Sequence, residues 1–399
     1  LARLLYLHQH FSTPAGAAGT RSFALAGALA QAGHRVTLAT GQWQGAATGL
    51  EVPFRRGVRE GAVAGFRVVE FAIPCTNAMG LAARSAAFLR YAWRAGRLAR
   101  GEAWDLVIAS STPLTVVLPA LAAARRGVPF LFEMRDPWPE LPRALGLANP
   151  LALAAMERMA DAACRRAAAV VALSEGMGEL ARARGAARVE VVPQGCDLDL
   201  FGPHIPPWRP EAAGSHELLA VYAGVHGVAN GLGLLVEAAR ELARRGERRW
   251  RLLLVGEGGE KPALLAAARG LPNIDFLDPL PKRELAGLLA GSQAGLLCLA
   301  PVPAFAEWTA PNKLMDYLAA GLPVLSNLPG EAARLLAEGA GETVPPGDAA
   351  ALADALQRLA DAPARRAAMG EAARALALRR FDRRLLARRF VETVESCLR

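Results

Sequence analysis

Short apolar runs of strand length alternate along this chain with amphipathic stretches of helical length. ARLLYLHQ opens the series as a strand, followed by the turn-rich FSTPAGAAGTRS, a helical FALAGALAQAGH ending near Gly33, and a second strand in RVTLAT. Strand, glycine-containing loop, helix, strand is the beginning of a parallel α/β domain. The order recurs in DLVIAS at 105–110, PFLFEMRD at 129–136, AAAVVALS at 167–174 and VEVVPQG at 189–195. It restarts in LLAVYAG at 218–224, the helical LGLLVEAARELARR, and WRLLLVGEG at 250–258. NIDFLDPL, AGLLCLA, a helix through KLMDYLAAG, the strand LPVLSN, ETVPPGD and the helical ALADALQRLAD complete the series. The segment 201–217 carries four prolines between the two runs and reads as a linker.

At 399 residues the chain has room for two or three domains. A hydrophobic share of 53% against 21% charged supports sizeable cores and excludes a disordered, collagenous or coiled-coil protein. The net charge is +9, and the excess is uneven: residues 1–205 hold 22 basic and 15 acidic residues, a balance of +7, leaving +2 beyond. The first half therefore favours an anionic partner. A dense basic tract with interleaved aromatics is missing, which argues against nucleic acid. Five dispersed cysteines without a CxxC pair read as free thiols in a reducing compartment. No charge-free apolar run reaches 18 residues, so the expectation is a cytoplasmic protein, peripheral at most to a membrane. The tail from Arg379 sets seven Arg against three acids and reads as an amphipathic helix or an anionic-membrane contact.

Several loops carry candidate chemistry. Gly16, Gly19, Thr20 and Arg21 precede a helix, where backbone amides and a guanidinium can meet phosphate oxygens; an ordinary turn is the alternative. In FEMRDPWPE, Glu133, Arg135 and Asp136 follow an apolar strand; Asp136 could position a hydroxyl or take its proton, or the group could be a structural ion pair. His8 and His10 lie at another strand end, on one side if alternation holds. Asp197 and Asp199 invite a metal or an acid/base role, but no further ligand spacing specifies a metal, and a polar turn directing the chain into the next domain is the favoured reading. VYAGVHGVANG and VGEGGEK place Gly224, His226, Gly256, Gly258 and Lys261 in successive strand–helix turns. In PNKLMDYLAAGLP, Pro311 can pre-set a helix start with Lys313 and Asp316 in its first turns, suited to a diphosphate and a ribose or to a plain i,i+3 ion pair.

Taken in order, these segments resemble the family 4 glycosyltransferases, and within them the bacterial N-acetyl-L-fucosamine transferases of polysaccharide biosynthesis. The resemblance spans nearly the whole chain. It implies a GT-B architecture: two Rossmann-like domains facing an interdomain cleft, an acceptor-binding domain at 1–205, a nucleotide-sugar domain at 206–378, and a terminal helix at 379–399 returning to the first. It implies retaining transfer from a UDP-sugar to a glycan or polyprenyl-linked glycan at the inner face of the plasma membrane, with no cofactor and no essential metal. By position it assigns catalysis to Asp136, Lys313 and Arg21. Donor contacts would come from Gly16, Gly19, His226, Gly256, Gly258, Glu307, Asn312, Lys313, Leu314 and Asp316, with Asp316 on the ribose and His10 a weaker acceptor-side alternative to Asp136. The chain departs from the family pattern at Val225 and Asn230, where basic residues are usual, and at Trp308, where a glutamate is usual and Glu307 is adjacent. His226 would partly replace the missing charge. A related epimerase or phosphorylase, or a binding protein without turnover, are the alternatives.

Overall fold

β1 (Arg3–Leu7), β2 (Arg35–Trp43), β3 (Val58–Val63), β4 (Phe66–Cys75), β5 (Leu106–Ser110), β6 (Phe130–Met134), β7 (Ala169–Ala172) and β8 (Val189–Val191) form one eight-stranded sheet. Their order is β3-β4-β2-β1-β5-β6-β7-β8, parallel throughout except for the β3–β4 hairpin at one edge. The computed structural model describes residues 1–398 apart from 77, 145, 147–148 and 303–311. It divides into two units: unit 1 holds Leu1–Gln194 and the C-terminal segment from Arg384, and unit 2 holds the described residues from Gly195 to Arg383. The proline-rich stretch 201–217 lies in unit 2, where Phe201 enters the core and the Trp208 indole N–H donates to the Glu284 carbonyl at 2.8 Å.

Unit 2 is built on β9 (Leu218–Ala223), β10 (Trp250–Val255), β11 (Ile274–Leu277), β12 (Ala294–Leu297), β13 (Val324–Ser326) and β14 (Gly341–Thr343), in the order β11-β10-β9-β12-β13-β14 and all parallel. Parallel sheets need both faces covered, which is why β1, β5, β6 and β7 are apolar at nearly every position rather than alternating. In unit 1 the covering helices include α1 (Arg21–Gln31), α2 (Leu81–Gly101) and α3 (Val117–Ala124). α4 (Glu140–Ala144), α5 (Pro150–Arg166) and α6 (Glu175–Ala183) follow them. In unit 2 they are α7 (Gly233–Arg244), α8 (Lys261–Ala267), α9 (Lys282–Ala290), α10 (Asn312–Ala320), α11 (Glu331–Leu336), α12 (Ala349–Asp361) and α13 (Pro363–Arg380). The last helix, α14 (Arg383–Ser396), buries Leu386, Ala387, Phe390 and Val394 in the unit 1 core beside Leu4, Tyr6 and Leu25.

The β3–β4 hairpin and the long helix α2 stand where the apolar pattern predicts no element. β4 runs FRVVEFAIPC with a buried Glu70 at its middle, held by the Thr48 hydroxyl at 2.6 Å and Arg59 at 2.8 Å. α2 buries only small residues and one tyrosine (Ala87, Tyr91, Ala92, Ala95, Gly96, Ala99), so its core stripe is thin in sequence.

In each sheet the chain moves from the first strand to a neighbour on one side and later crosses to the other: β1 lies between β2 and β5, and β9 between β10 and β12. Such switch points leave a crevice at the carboxyl ends of the strands, where open parallel sheets take their ligands. The loops after β1, β5 and β6, and those after β9 and β10, are therefore the places to look.

Candidate functional site: the strand-end loops of the two units

In unit 2 two glycine loops cross in close contact. A Cβ on Gly256 would stand 1.9 Å from the Gly224 carbonyl oxygen, and one on Gly258 2.3 Å from the His226 carbonyl oxygen. The backbone bonds agree: His226 N–H donates to Glu257 O and Glu260 N–H to His226 O, both at 2.9 Å. Only glycine permits this approach. Gly258→Ala should push the loops apart and cost about 1–3 kcal/mol of stability, read by denaturant unfolding; an unchanged midpoint would mean that the loops part freely.

Beneath the crossing lies His226, buried completely, with neither ring nitrogen hydrogen-bonded among the described residues. Burial, then the nearby Lys261, lowers its pKa to about 4. The ring is neutral at pH 7, so His226 does not supply the cationic charge the sequence reading gave it; it offers one N–H and one lone pair. Lys261 has its ammonium on Gly256 O at 3.0 Å, Glu257 at 3.1 Å and Asp278 at 2.8 Å, and acts as a brace for the loop.

α10 supplies Asn312, Lys313, Leu314 and Asp316. Asn312 is exposed at its start and Leu314 is core. Lys313 and Asp316 do not pair with each other. The Lys313 ammonium donates to the Tyr222 hydroxyl at 3.0 Å and to Asn230 Oδ1 at 3.1 Å, and has no carboxylate partner among the described residues. Burial lowers its pKa to about 8. Asn230, where the resemblance implies a basic residue, thus holds a lysine brought from α10. Asp316 is buried and paired with Lys282 at the start of α9. Glu307 lies outside the described residues, as do Trp308 and Pro311.

In unit 1 the same strand-end position collects polar and aromatic groups. His8 is buried, with Nδ1 2.7 Å from the Ser22 hydroxyl and Nε2 2.7 Å from an Arg135 nitrogen. His10 stacks on Trp43 with ring centroids 3.9 Å apart, and its centroid lies 6.4 Å from that of His8. Burial, then Arg135 and Arg84, lowers the His10 pKa to about 3, so it too is a neutral ring. The His10 Nε2, both amide atoms of Gln9, the Trp138 indole N–H and the Arg84 Nε are buried without a hydrogen-bond partner among the described residues. Buried polar atoms are seldom left so, and several together mark a surface shaped for something else to satisfy. The Asp136 carboxylate accepts a hydrogen bond from the Thr112 hydroxyl and stands in this neighbourhood beside Arg135.

Arg21 has a different place from the one expected. Its guanidinium donates to Glu133 at 2.7 Å, to the Val192 carbonyl at 2.9 Å and to the Pro193 carbonyl at 2.6 Å, all within unit 1. Both members of the ion pair are buried, and the Tyr6 hydroxyl completes the carboxylate's partners at 3.0 Å. Burial pushes the Glu133 carboxyl up, but Arg21 and then Arg135 outweigh it and hold the group below the usual carboxylate range. Arg21 is a strut tying α1 to β6 and the segment after β8, with each guanidinium nitrogen donating within unit 1. Gly16 likewise serves local packing: its Cβ would meet Ser12 Oγ at 2.4 Å and Ala47 N at 2.6 Å. Gly19 sits in the same loop, half-buried.

Asp197 and Asp199 resolve as turn residues. Asp197 accepts from Leu200 N–H at 3.1 Å and from Arg383 at 2.9 Å, and Asp199 O lies 2.9 Å from the His204 ring. Among the described residues no group of three or more His, Cys, Asp and Glu side chains is arranged to hold a metal ion. The residues that sequence reasoning missed are Tyr222 and Lys282 in unit 2, and Gln9, Trp43, Arg84 and Trp138 in unit 1. One signal was available: the chain has three lysines among its 46 basic residues, all in unit 2, at 261, 282 and 313.

Residues 16–195 match the glycosyl transferase 4-like domain, and residues 217–362 match the glycosyl transferases group 1 domain. Both halves are glycosyltransferase domains. Joined in this order they form the GT-B fold, and solved structures agree at low identity. The sucrose-phosphate synthase from Thermosynechococcus elongatus superposes with a TM-score of 0.73 at 19% identity, covering 99% of each chain. Anabaena HepE in complex with UDP and glucose gives 0.67 at 18% identity over 99% of this chain and 100% of that one. The E. coli trehalose-6-phosphate structure bound with UDP-2-fluoro glucose gives 0.72 at 15% identity over 100% and 99%. No curated protein sequence matches the chain. The crossing glycine loops and Lys313 fall within the group 1 match, and Asp136 falls within the 4-like match, with His8 and His10 ahead of its first matched residue.

Proposed function

We propose that the protein is a retaining glycosyltransferase of the family 4 type, moving a sugar, in the first instance an N-acetylated deoxyhexose, from a UDP-sugar to a lipid-linked glycan. The observation that carries the reading is Lys313: a half-buried cation without a carboxylate partner among the described residues, at the carboxyl end of β9 beside two glycine loops and a neutral His226 with no hydrogen-bond partner among those residues. A site of that kind suits a diphosphate, which brings the missing negative charge and the acceptor oxygens. The similar structures that hold UDP, UDP with glucose, or a UDP-sugar analogue support uridine as the nucleotide.

In this reading the unit 1 cluster receives the acceptor. Asp136, steadied by Thr112, orients the acceptor hydroxyl, and Gln9, His10 and Trp138 supply the remaining hydrogen bonds. The hydroxyl oxygen forms the new glycosidic bond on the face from which UDP departs. Its proton passes to the departing phosphate oxygen, and Lys313 offsets the charge that develops there. No metal enters the scheme. The test is to incubate the protein with UDP-sugars and a polyprenyl-diphosphate-linked sugar and read the product anomer by NMR. An α-linked product from an α-linked donor is expected. A β-linked product overturns retention; a rearranged free sugar without acceptor makes the protein an epimerase; binding of donor without any product overturns transfer.

A further inference from the structure

We infer that the outer face of α2 in unit 1 docks on an anionic lipid surface. In its 21 residues the helix carries Arg84, Arg90, Arg94, Arg97 and Arg100 and no Asp or Glu. Its inward face is closed by small residues against the sheet and α3, where a Cβ on Gly96 would stand 3.9 Å from Pro119. The outward stripe, at helical spacing, is Ala82, Ala86, Leu89, Trp93 and Arg97. Leu89 and Trp93 are 56% and 55% exposed, and Leu81 at the helix start 58%. The Arg94 and Arg97 guanidinium carbons stand 5.6 and 5.1 Å from the centre of the Trp93 ring.

Neighbouring elements extend the same chemistry. The exposed Arg125 and Arg126 follow α3, with Arg126 donating to the Arg100 carbonyl at 3.4 Å. The loop of Arg55 and Arg56 lies alongside, since a Cβ on Gly57 would come 3.3 Å from an Arg94 nitrogen. Glu102, just past the helix, is occupied by Arg3 at 3.3 Å and Arg67 at 2.9 Å.

A tryptophan and a leucine bracketed by arginines suit the headgroup layer, where the ring and the short apolar stripe sink between headgroups and the guanidiniums pair with phosphates. No helix among the described residues is long and apolar enough to cross a membrane, so contact of this kind lies in the plane of the surface. The terminal helix α14, also arginine-rich, fits such a role less well because its apolar stripe is spent in the unit 1 core. Position favours lipid over a protein partner. The inner side of α2 reaches the acceptor cluster, with Phe88 6.1 Å from His10 between ring centroids, so the outer face is about one helix diameter, roughly 10 Å, from it. A lipid-linked acceptor anchored in that surface would present its sugar near Asp136. In that last point the inference rests on the proposed function; the docking itself does not need the chemistry.

The experiment uses the full chain and sedimentation with vesicles, without substrate. Binding to phosphatidylcholine vesicles containing 30% phosphatidylglycerol should be at least about tenfold tighter than to phosphatidylcholine alone and should weaken with salt. Arg90→Glu with Arg97→Glu should abolish the preference, and Trp93→Ser should weaken binding severalfold. Arg388→Glu with Arg389→Glu on α14 should leave binding intact. Equal binding to neutral vesicles, retention by the α2 charge reversal, or loss only in the α14 variant overturns the inference. So does concentration-dependent self-association that the α2 variants abolish, because the face would then belong to a second copy. Transfer to a water-soluble acceptor, measured in parallel, keeps the readings apart. Transfer with failed vesicle binding sinks the docking alone, and vesicle binding without transfer sinks the proposed function alone.

Discussion

Lys313→Met should lower the turnover of the proposed transfer by about 10²–10³-fold, equivalent to about 3–4 kcal/mol of transition-state stabilisation. The group is well suited to that size of effect because it is a half-buried cation lacking a carboxylate partner among the described residues, held in place by Tyr222 and Asn230. With burial lowering its pKa to about 8, the empty protein holds a partly neutral lysine just above that pH. A bound diphosphate restores the charge. UDP binding should therefore take up protons between about pH 8 and 10, with affinity falling as pH rises. Calorimetric titration at pH 8.5 in two buffers of different ionisation enthalpy measures the uptake, and Lys313→Met should remove it.

The stability sign is the reverse of that for a paired lysine. Between the folded value of about 8 and the ordinary value near 10.5, the unfolded chain binds more protons than the folded one. Stability thus rises with pH through that window, and the charged side chain costs stability below it. Lys313→Met should accordingly raise the thermal midpoint of the unliganded protein at pH 7 while lowering turnover. Unchanged turnover together with absent proton uptake would remove Lys313 from the mechanism.

Asp316→Ala should be the most damaging single change to unit 2, at about 3–5 kcal/mol. It strips the carboxylate from Lys282 and leaves an ammonium buried against Phe201 without its partner. A fall in UDP affinity in that variant would say nothing about the ribose, because the domain itself is weakened. The informative variant is Asp316→Leu with Lys282→Met, which exchanges the ion pair for apolar groups and should recover most of the lost stability. If Asp316 also contacts the nucleotide, the double variant folds but binds UDP weakly in calorimetry. Parental UDP affinity in the double variant would make Asp316 purely structural. A single variant as stable as the parent would contradict the buried pairing itself.

The succession of strands along the chain, β3 and β4 apart, was legible because parallel strands are buried on both faces and read as continuous apolar runs, as in LVIAS and WRLLLV. β4 and α2 escaped that reading for opposite reasons. β4 carries a buried glutamate satisfied from 22 residues away by Thr48, and α2 packs with alanines that look the same on every face. The site was legible as a set of loops and not as a set of roles. Gly16 stands in a glycine-marked loop, Arg21 and Lys313 stand in the first turns of helices that follow glycine- or proline-marked segments, and nothing local separates a strut from a ligand contact.

By itself, then, the sequence determined two successive parallel α/β domains and the strand-end loops that carry their chemistry, since apolar run length and turn residues act within a few positions. Which charges are spent and which remain was decided only by the tertiary structure. Arg21 meets Glu133 across 112 residues, Lys282 meets Asp316 across 34, and Lys313 meets Asn230 across 83. Charges pair through space at about 3 Å, and the separation along the chain carries no trace of it.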